Sequence, residues 1–262
     1  MTAAARFLIA TIAVFPLALA QAQTPQDRGL EIANEADRRD TGWEDSHAMV
    51  TMTLRDDAGR EAVRQLEIET LESTEEGDKS LTRFETPRDI RGTALLTYTY
   101  KTQPDDQWLY LPALKRVKRI AAQNQAGPFM GSEFAFEDMS SQEVEKFTYL
   151  SRDDEPCPTL AGACYVVQRT PTSEYSGYSH QIVWIDQQHY RTDRVEYYDR
   201  KQSLLKTLQN KDFKQYLDRY WRPSQSLMTN HQTGKSTSLV SEDIQFRNGL
   251  SANSFTPTRL GR

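Results

Sequence analysis

Hydrophobic and polar residues alternate with a period of two along much of this chain. In "AMVTMTL", Val50, Met52 and Leu54 alternate with Thr51 and Thr53, the signature of a half-buried strand. "RDDAGR" supplies turn residues, and "EAVRQLEIETL" returns with Leu66 and Ile68 on one face, which predicts a hairpin. "KSLTRFET", "GTALLTYTY" and "DQWLYLP" read as further strands. After a gap, "FTYLSRD", "CYVVQRT", "SHQIVWID", "HYRTDRVEYYD", "SLLKTLQNKDF", "SLMTNHQ" and "SLVSEDIQF" read as a meander separated by short turns. The block Ile182 to Ile185 is apolar at every position, which places that strand centrally. One helix precedes the strands: "DRGLEIANEADRRD" gathers Leu30, Ile32, Ala33 and Ala36 near one face, and Gly42 ends it. The fold class is mainly β (α+β), a curved antiparallel sheet of about ten strands, since sheets of that size curl or close.

One segment breaks the pattern. "AAQNQAGPFMGSEFAFEDMSS" is cut by Gly127, Pro128 and Gly131, yet carries Phe129, Met130, Phe134, Phe136 and Met139. Loops are ordinarily polar and superficial. These side chains either fill ordinary core or form a lid lining a cavity at the mouth of the curved sheet. The same segment holds Glu133, Glu137 and Asp138. These carboxylates can do acid–base work or hold Ca²⁺, or simply lie on a wet face.

The N-terminus carries one cation, Arg6, then an apolar run from Phe7 to Ala20 and small-residue cleavage sites at Ala20 and Ala22. Residues 1–22 read as a secretory signal peptide, the alternative being a transmembrane anchor for which the run is short. Residues 23–262 then form a single domain, exported to the periplasm. Cys157 and Cys164, in "CPTLAGAC", are expected to pair as a disulfide in that oxidising compartment. Removing Arg6 takes the net charge from -5 to -6, which argues against nucleic acid as a partner. Within this acidic chain, "KRVKR" concentrates Lys115, Arg116, Lys118 and Arg119. The cluster either protects an edge strand by charge or docks on an anionic membrane surface or acidic partner. The four histidines, His47, His180, His189 and His231, belong to no metal or nucleophile motif, and the reading is a non-catalytic protein without cofactor or metal.

"TPRDIRGTALLTY", "DDQWLYLPALKRVKRI" and "GPFMGSEFAFEDM", in that order, resemble the LolA-like family of outer-membrane lipoprotein-sorting proteins, in the periplasmic branch associated with exporters of the resistance-nodulation-division (RND) type. The branch reads Asp where this chain has Glu133 and Tyr where it has Phe136. The resemblance implies an unclosed β-barrel with a lid over a hydrophobic cavity and a lipid or lipoprotein acyl chain as cargo. It implies an exporter as partner. On this basis Leu96, Trp108, Tyr110, Phe129, Met130, Phe134, Phe136, Met139 and Trp184 are the expected cavity lining.

Overall fold

The structure, a computed structural model, describes residues 23–261, so the expected signal peptide lies outside the described residues. One helix, α1 (Pro25–Asp40), is followed by β1 (Asp45–Arg55), β2 (Glu61–Leu71), β3 (Lys79–Thr86), β4 (Ala94–Tyr98), β5 (Asp106–Leu111) and β6 (Arg116–Ile120). After an irregular stretch come β7 (Phe147–Ser151), β8 (Glu155–Pro156), β9 (Ala163–Pro171), β10 (Tyr178–Asp186), β11 (Thr192–Asp199), β12 (Leu204–Tyr216), β13 (Tyr220–Asn230) and β14 (Ser236–Phe246). These make a single antiparallel 14-stranded sheet in the order β6-β5-β4-β3-β2-β1-β14-β13-β12-β11-β10-β9-β7, with β8 beside β9. All twelve stretches read as strands are present, so the sheet is larger than the expected ten or so, and two further strands join them. "RVKRI", exposed except at Ile120, forms an edge strand whose charges hid its pattern, and a two-residue strand is below the reach of periodicity.

The topology explains the Gly-punctuated segment. β1 and β14 pair in the middle of the sheet, and each half then runs outward as a meander. The two free edges are β6 and β7, and they are consecutive in sequence. The chain between them, residues 121–146, must cross from one edge to the other. It does so over the concave face as short 3-10 turns joined by bends, and it carries its apolar side chains inward. Phe129 enters the cluster of Val50, Met52, Leu66, Phe84, Leu95 and Leu109, its ring tilted against Phe84 and edge-on to Phe136. Phe134 enters the other inner cluster, with Ile32 of α1, Val167, Val183, Ile185 and Met228.

Strand alternation assigns the remaining apolar residues to the outer face. Leu96 and Trp108 are cross-strand partners one residue out of phase with the inward pair Leu95 and Leu109. They pack with Leu81, Ala94 and Tyr110 under the C-terminal tail, where Phe255 and Leu260 are buried. Ile182 and Trp184 likewise face outward, against Cys164 and Val166. Cys157 and Cys164 are disulfide-bonded, with Cα atoms 5.0 Å apart, and their loop covers this patch. The reading of β10 as central is therefore corrected: it lies third from the β7 edge. It is apolar on both faces because a loop covers the outside and α1 the inside.

α1 begins at an N-cap, Thr24, whose hydroxyl accepts from Asp27 N, and Pro25 at the first position suits a helix start. Ile32 and Gly29 are its buried residues, whereas Leu30 points to solvent. Gly29 permits the helix to rest directly on the edge strand β7. A Cβ there would stand 2.9 Å from Ser151 N and 3.0 Å from Leu150 N.

Candidate ligand cavity

The helix that covers the second half of the sheet presents small side chains to it. Ala33 and Ala36 face the concave surface where larger residues would fill it. Beneath them Val167, Val183, Ile185, Val195 and Leu208 form an apolar floor. The gap between is a cavity of about 660 Å³, inside the range of roughly 300–1,000 Å³ typical of ligand sites. Aromatic side chains, Tyr149, Tyr190, Tyr197, Phe213 and Trp221, stand around it. The mouth carries both signs of charge: Asp37 and Asp40 on α1 face Glu72, Asp78 and Glu143 with Lys101 among them, and Arg39, Arg191, Arg219 and Arg222 line the same cavity. Burial, reinforced by the charge of Asp78, pushes the Glu143 carboxyl up to about 7. Burial also raises Asp78, against hydrogen bonds from Ser73 N and Ser141 Oγ.

None of the nine expected lining residues borders this cavity. Leu96, Trp108, Tyr110 and Trp184 lie on the opposite face of the sheet. Phe129, at 0% exposure, and Phe134, at 6%, are core, and Met130, Phe136 and Met139 pack against the same clusters. The segment is a fastened plug, held by the polar residues that the sequence left on a wet face. Asp138 and Lys206 form an ion pair at 2.6 Å with side chains 6% and 4% exposed. Asp138 also accepts from Tyr178 Oη at 2.8 Å and from Ala135 N at 2.7 Å. Lys206 donates to Glu133 O at 2.8 Å and lies 5.2 Å from the ring centres of both Tyr178 and Tyr197.

The other two acidic residues are latched as well. Glu133 accepts from Asn230 Nδ2 at 2.7 Å, and its amide donates to Thr237 Oγ1 at 3.0 Å. Glu137 accepts from Ser176 Oγ at 2.7 Å and Gly177 N at 2.9 Å; burial and the neighbouring Asp138 push its carboxyl up. On the far side, Arg64 donates to Met130 O at 2.7 Å, and the buried Gln107 donates to Phe136 O at 2.8 Å. Three carboxylates in "GSEFAFEDM" thus meet three different anchors: Asn230 on β13, the β9–β10 turn, and Lys206 on β12. The sequence signal for this was acidic residues spaced among Phe residues that themselves had to be buried.

A second cavity, about 440 Å³, lies on the other side of the plug's end, between "TQPD" at 102–105 and the β9–β10 turn. Asp138, Ser141 and Gln142 border both cavities. Lys115, Arg116, Lys118 and Arg119 lie together on the exposed β5–β6 hairpin at the sheet edge, far along the sheet from β9–β12. Arg119 pairs with Asp106. The one group of metal-ligating atoms among the described residues is Cys157, Cys164 and Asp193. Its two sulfurs are bonded to each other, and Asp193 Oδ2 accepts from Thr159 N at 2.8 Å. None of the described helices is long and apolar enough to cross a membrane.

An open antiparallel half-barrel, its concave face shared by a plug and a covering helix around a cavity, is the architecture of LolA-like proteins. The model of a family described as "Uncharacterized protein" matches residues 76–262. A domain from Vibrio parahaemolyticus, described as an outer membrane lipoprotein-sorting protein, is 50% identical, covering 90% of this chain and 100% of that one, with a TM-score of 0.88. A DUF1329 family protein from Desulfovibrio piger is 27% identical over 90% of this chain and 99% of its own, at a TM-score of 0.85. A LolA superfamily protein from Nitrosomonas europaea, at 19% identity and a TM-score of 0.70, shares the fold over 87% of this chain and 97% of its own. No curated protein matches the chain. The chain belongs to the LolA-like family of outer-membrane lipoprotein-sorting proteins.

Proposed function

We propose that this protein is a periplasmic, non-catalytic carrier that holds the acyl part of a lipid or lipoprotein in the cavity beneath α1. The observation that carries the reading is the cavity itself: an apolar floor of five β-branched or Leu residues beneath Ala33 and Ala36 of α1. Burying one methylene is worth about 0.8 kcal/mol, so ten of them offer about 8 kcal/mol before ordering costs. Lipoprotein sorting, the description of the Vibrio relative, supports a lipidated cargo. An RND-type exporter or the outer membrane as the station where cargo is exchanged follows from the sequence resemblance. The cluster Lys115, Arg116, Lys118 and Arg119 is the docking patch for an anionic membrane surface, a reading supported by its exposure on the sheet edge.

The test is native mass spectrometry of protein gently purified from the periplasm, followed by extraction and identification of what is bound. A lipid-sized mass lost on denaturation supports the carrier. A stoichiometric protein partner in a lipid-free preparation supports the other class, an adaptor whose cavity takes a hydrophobic segment of that partner. The charged cavity mouth favours the carrier, because a cover made of charged residues resists a permanent, dry protein interface.

A further inference from the structure

Arg169, on β9, points to the concave face in the same row as Val167 and lines the 660 Å³ cavity. It is a cation placed where the alternation of the strand calls for an apolar residue. A guanidinium has five N–H donors and cannot shed its charge in a protein. Two contacts are made: Nε donates to Gln181 Oε1 at 2.7 Å, and one terminal nitrogen reaches Gln142 Oε1 at 3.3 Å. Both acceptors are neutral amides. Among the described residues Arg169 forms no ion pair.

The neighbouring acid is already engaged. Asp138 is bound by Lys206, Tyr178 Oη and Ala135 N. Tyr149 and Tyr197 also face the guanidinium, and burial raises both phenols, so neither supplies an anion; Phe147 lies 4.6 Å under its plane. Two cations, Arg169 and Lys206, therefore sit beside one carboxylate. Glu137 is turned away to the Ser176 hydroxyl and the Gly177 amide, with its carboxyl shifted toward the neutral form. Surrounding protein also disfavours the charge of Arg169, which an anion would stabilise. An unpaired charge kept in such a place is costly unless something pairs with it.

We infer that Arg169 is an anion-binding site at one end of the cavity, and that the cargo is an anionic amphiphile whose carboxylate or phosphate headgroup accepts the free guanidinium donors. Its chain runs from there along Val167, Val183, Ile185 and Val195 beneath Ala33 and Ala36. Of the other arginines that line the cavity, Arg39, Arg191 and Arg222 are paired with Glu35, Asp186 and Asp40, and Arg219 donates to Arg38 O, which leaves the head at Arg169 and the chain toward α1. The inference rests on the carrier reading and narrows it, because a lipoprotein's acyl chains alone bring no acidic group.

Binding to delipidated mature protein tests it, with oleate and oleoyl lysophosphatidic acid as acidic probes, monoolein as the neutral probe of matching chain, and acetate and inorganic phosphate as headgroups without chains. Wild type should bind the two acidic probes at least about tenfold more tightly than monoolein, the worth of one charge-assisted pair. Arg169→Gln should bring all three to parity, and Arg169→Lys should retain part of the preference. The wild-type comparison stands even if a variant fails to fold. Equal affinity for oleate and monoolein, or a preference that survives Arg169→Gln, overturns the headgroup site and leaves the carrier intact. Phosphate or acetate binding as tightly as the long-chain probes overturns the amphiphile as its source. Failure of every long-chain probe brings down the carrier reading and this inference together.

Discussion

Substituting Asp138 with Asn tests whether the segment at 127–139 is a plug fastened to the sheet. The change keeps the shape of the side chain and leaves Lys206 charged, buried and without a carboxylate. Removing one partner of a buried pair typically costs about 3–5 kcal/mol. Lys206 retains Glu133 O and the faces of Tyr178 and Tyr197, so the expected loss lies at the lower end, about 3 kcal/mol. Lys206→Met alone leaves Asp138 with two donors, Tyr178 Oη and Ala135 N, and should cost about 2–3 kcal/mol.

The double variant has neither charge. Replacing a whole buried pair by neutral groups is often close to neutral, so it should lie within about 2 kcal/mol of wild type. Denaturant unfolding of the four proteins then yields a coupling of at least about 3 kcal/mol. Amide exchange adds a local readout: protection of residues 129–139 should approach that of the core strands in wild type and fall in Asp138→Asn. A loss below 1 kcal/mol for Asp138→Asn, with single effects that simply add in the double, would refute the clamp and return the segment to the status of a loose lid.

Three further outcomes are expected. Because the folded-state pKa of Glu143 is raised to about 7, the native state binds more protons than the unfolded chain between about 4.5 and 7. Glu143 therefore lowers stability as pH rises through that window, with Asp78 and Asp37 strengthening the effect and Lys101 and Lys146 opposing it. Glu143→Gln should stabilise at pH 8 and do nothing at pH 4, and equal effects at both would dismiss the assignment. Gly29→Ala should gain about 1 kcal/mol of helix propensity yet lose about 1–3 kcal/mol by crowding β7, for a net loss in thermal unfolding; a net gain would mean α1 does not rest on that strand. Reversing Lys115, Arg116 and Lys118 to Glu should abolish association with anionic vesicles while leaving the melting temperature nearly unchanged, whereas a large loss of stability with unchanged association would make the hairpin's charges structural.

Alternation in Val50, Met52 and Leu54 was enough to fix strands and hairpins, because a half-wet sheet writes its faces into sequence. It could not say which face is inside where both are covered. Leu95 and Leu96 are equally buried, one under the plug and one under Phe255 and Leu260 from the far C-terminus. The same ambiguity misplaced Trp184, whose outer face is sealed by a disulfide loop eight residues long. The cavity was illegible for a related reason: it is made by residues too small to attract notice, Ala33 and Ala36. Arg169 was within reach, as the inward-phased cation of "VVQRT".

The contrast between the two covers of the concave face bears on how a carrier would open. The plug is tied by an ion pair with side chains at most 6% exposed, by latches at Glu133 and Glu137, and by two fully buried or nearly buried Phe side chains. α1 is tied differently. At its start Arg28 meets Asp154 at 2.9 Å with both side chains more than a third exposed. At its end Arg222 pairs with Asp40, Arg39 stacks on Tyr190 at 4.2 Å, and Arg219 donates to Arg38 O at 3.1 Å, all near solvent. Exposed pairs contribute about 0–1 kcal/mol each, and Ile32 is the one large apolar side chain α1 buries. Lifting α1 exposes the cavity floor at modest cost, whereas moving the plug dismantles both inner clusters. In the proposed carrier, cargo would on energetic grounds enter and leave past α1, and the aromatic segment that looks like a lid in the sequence is the part that would stay.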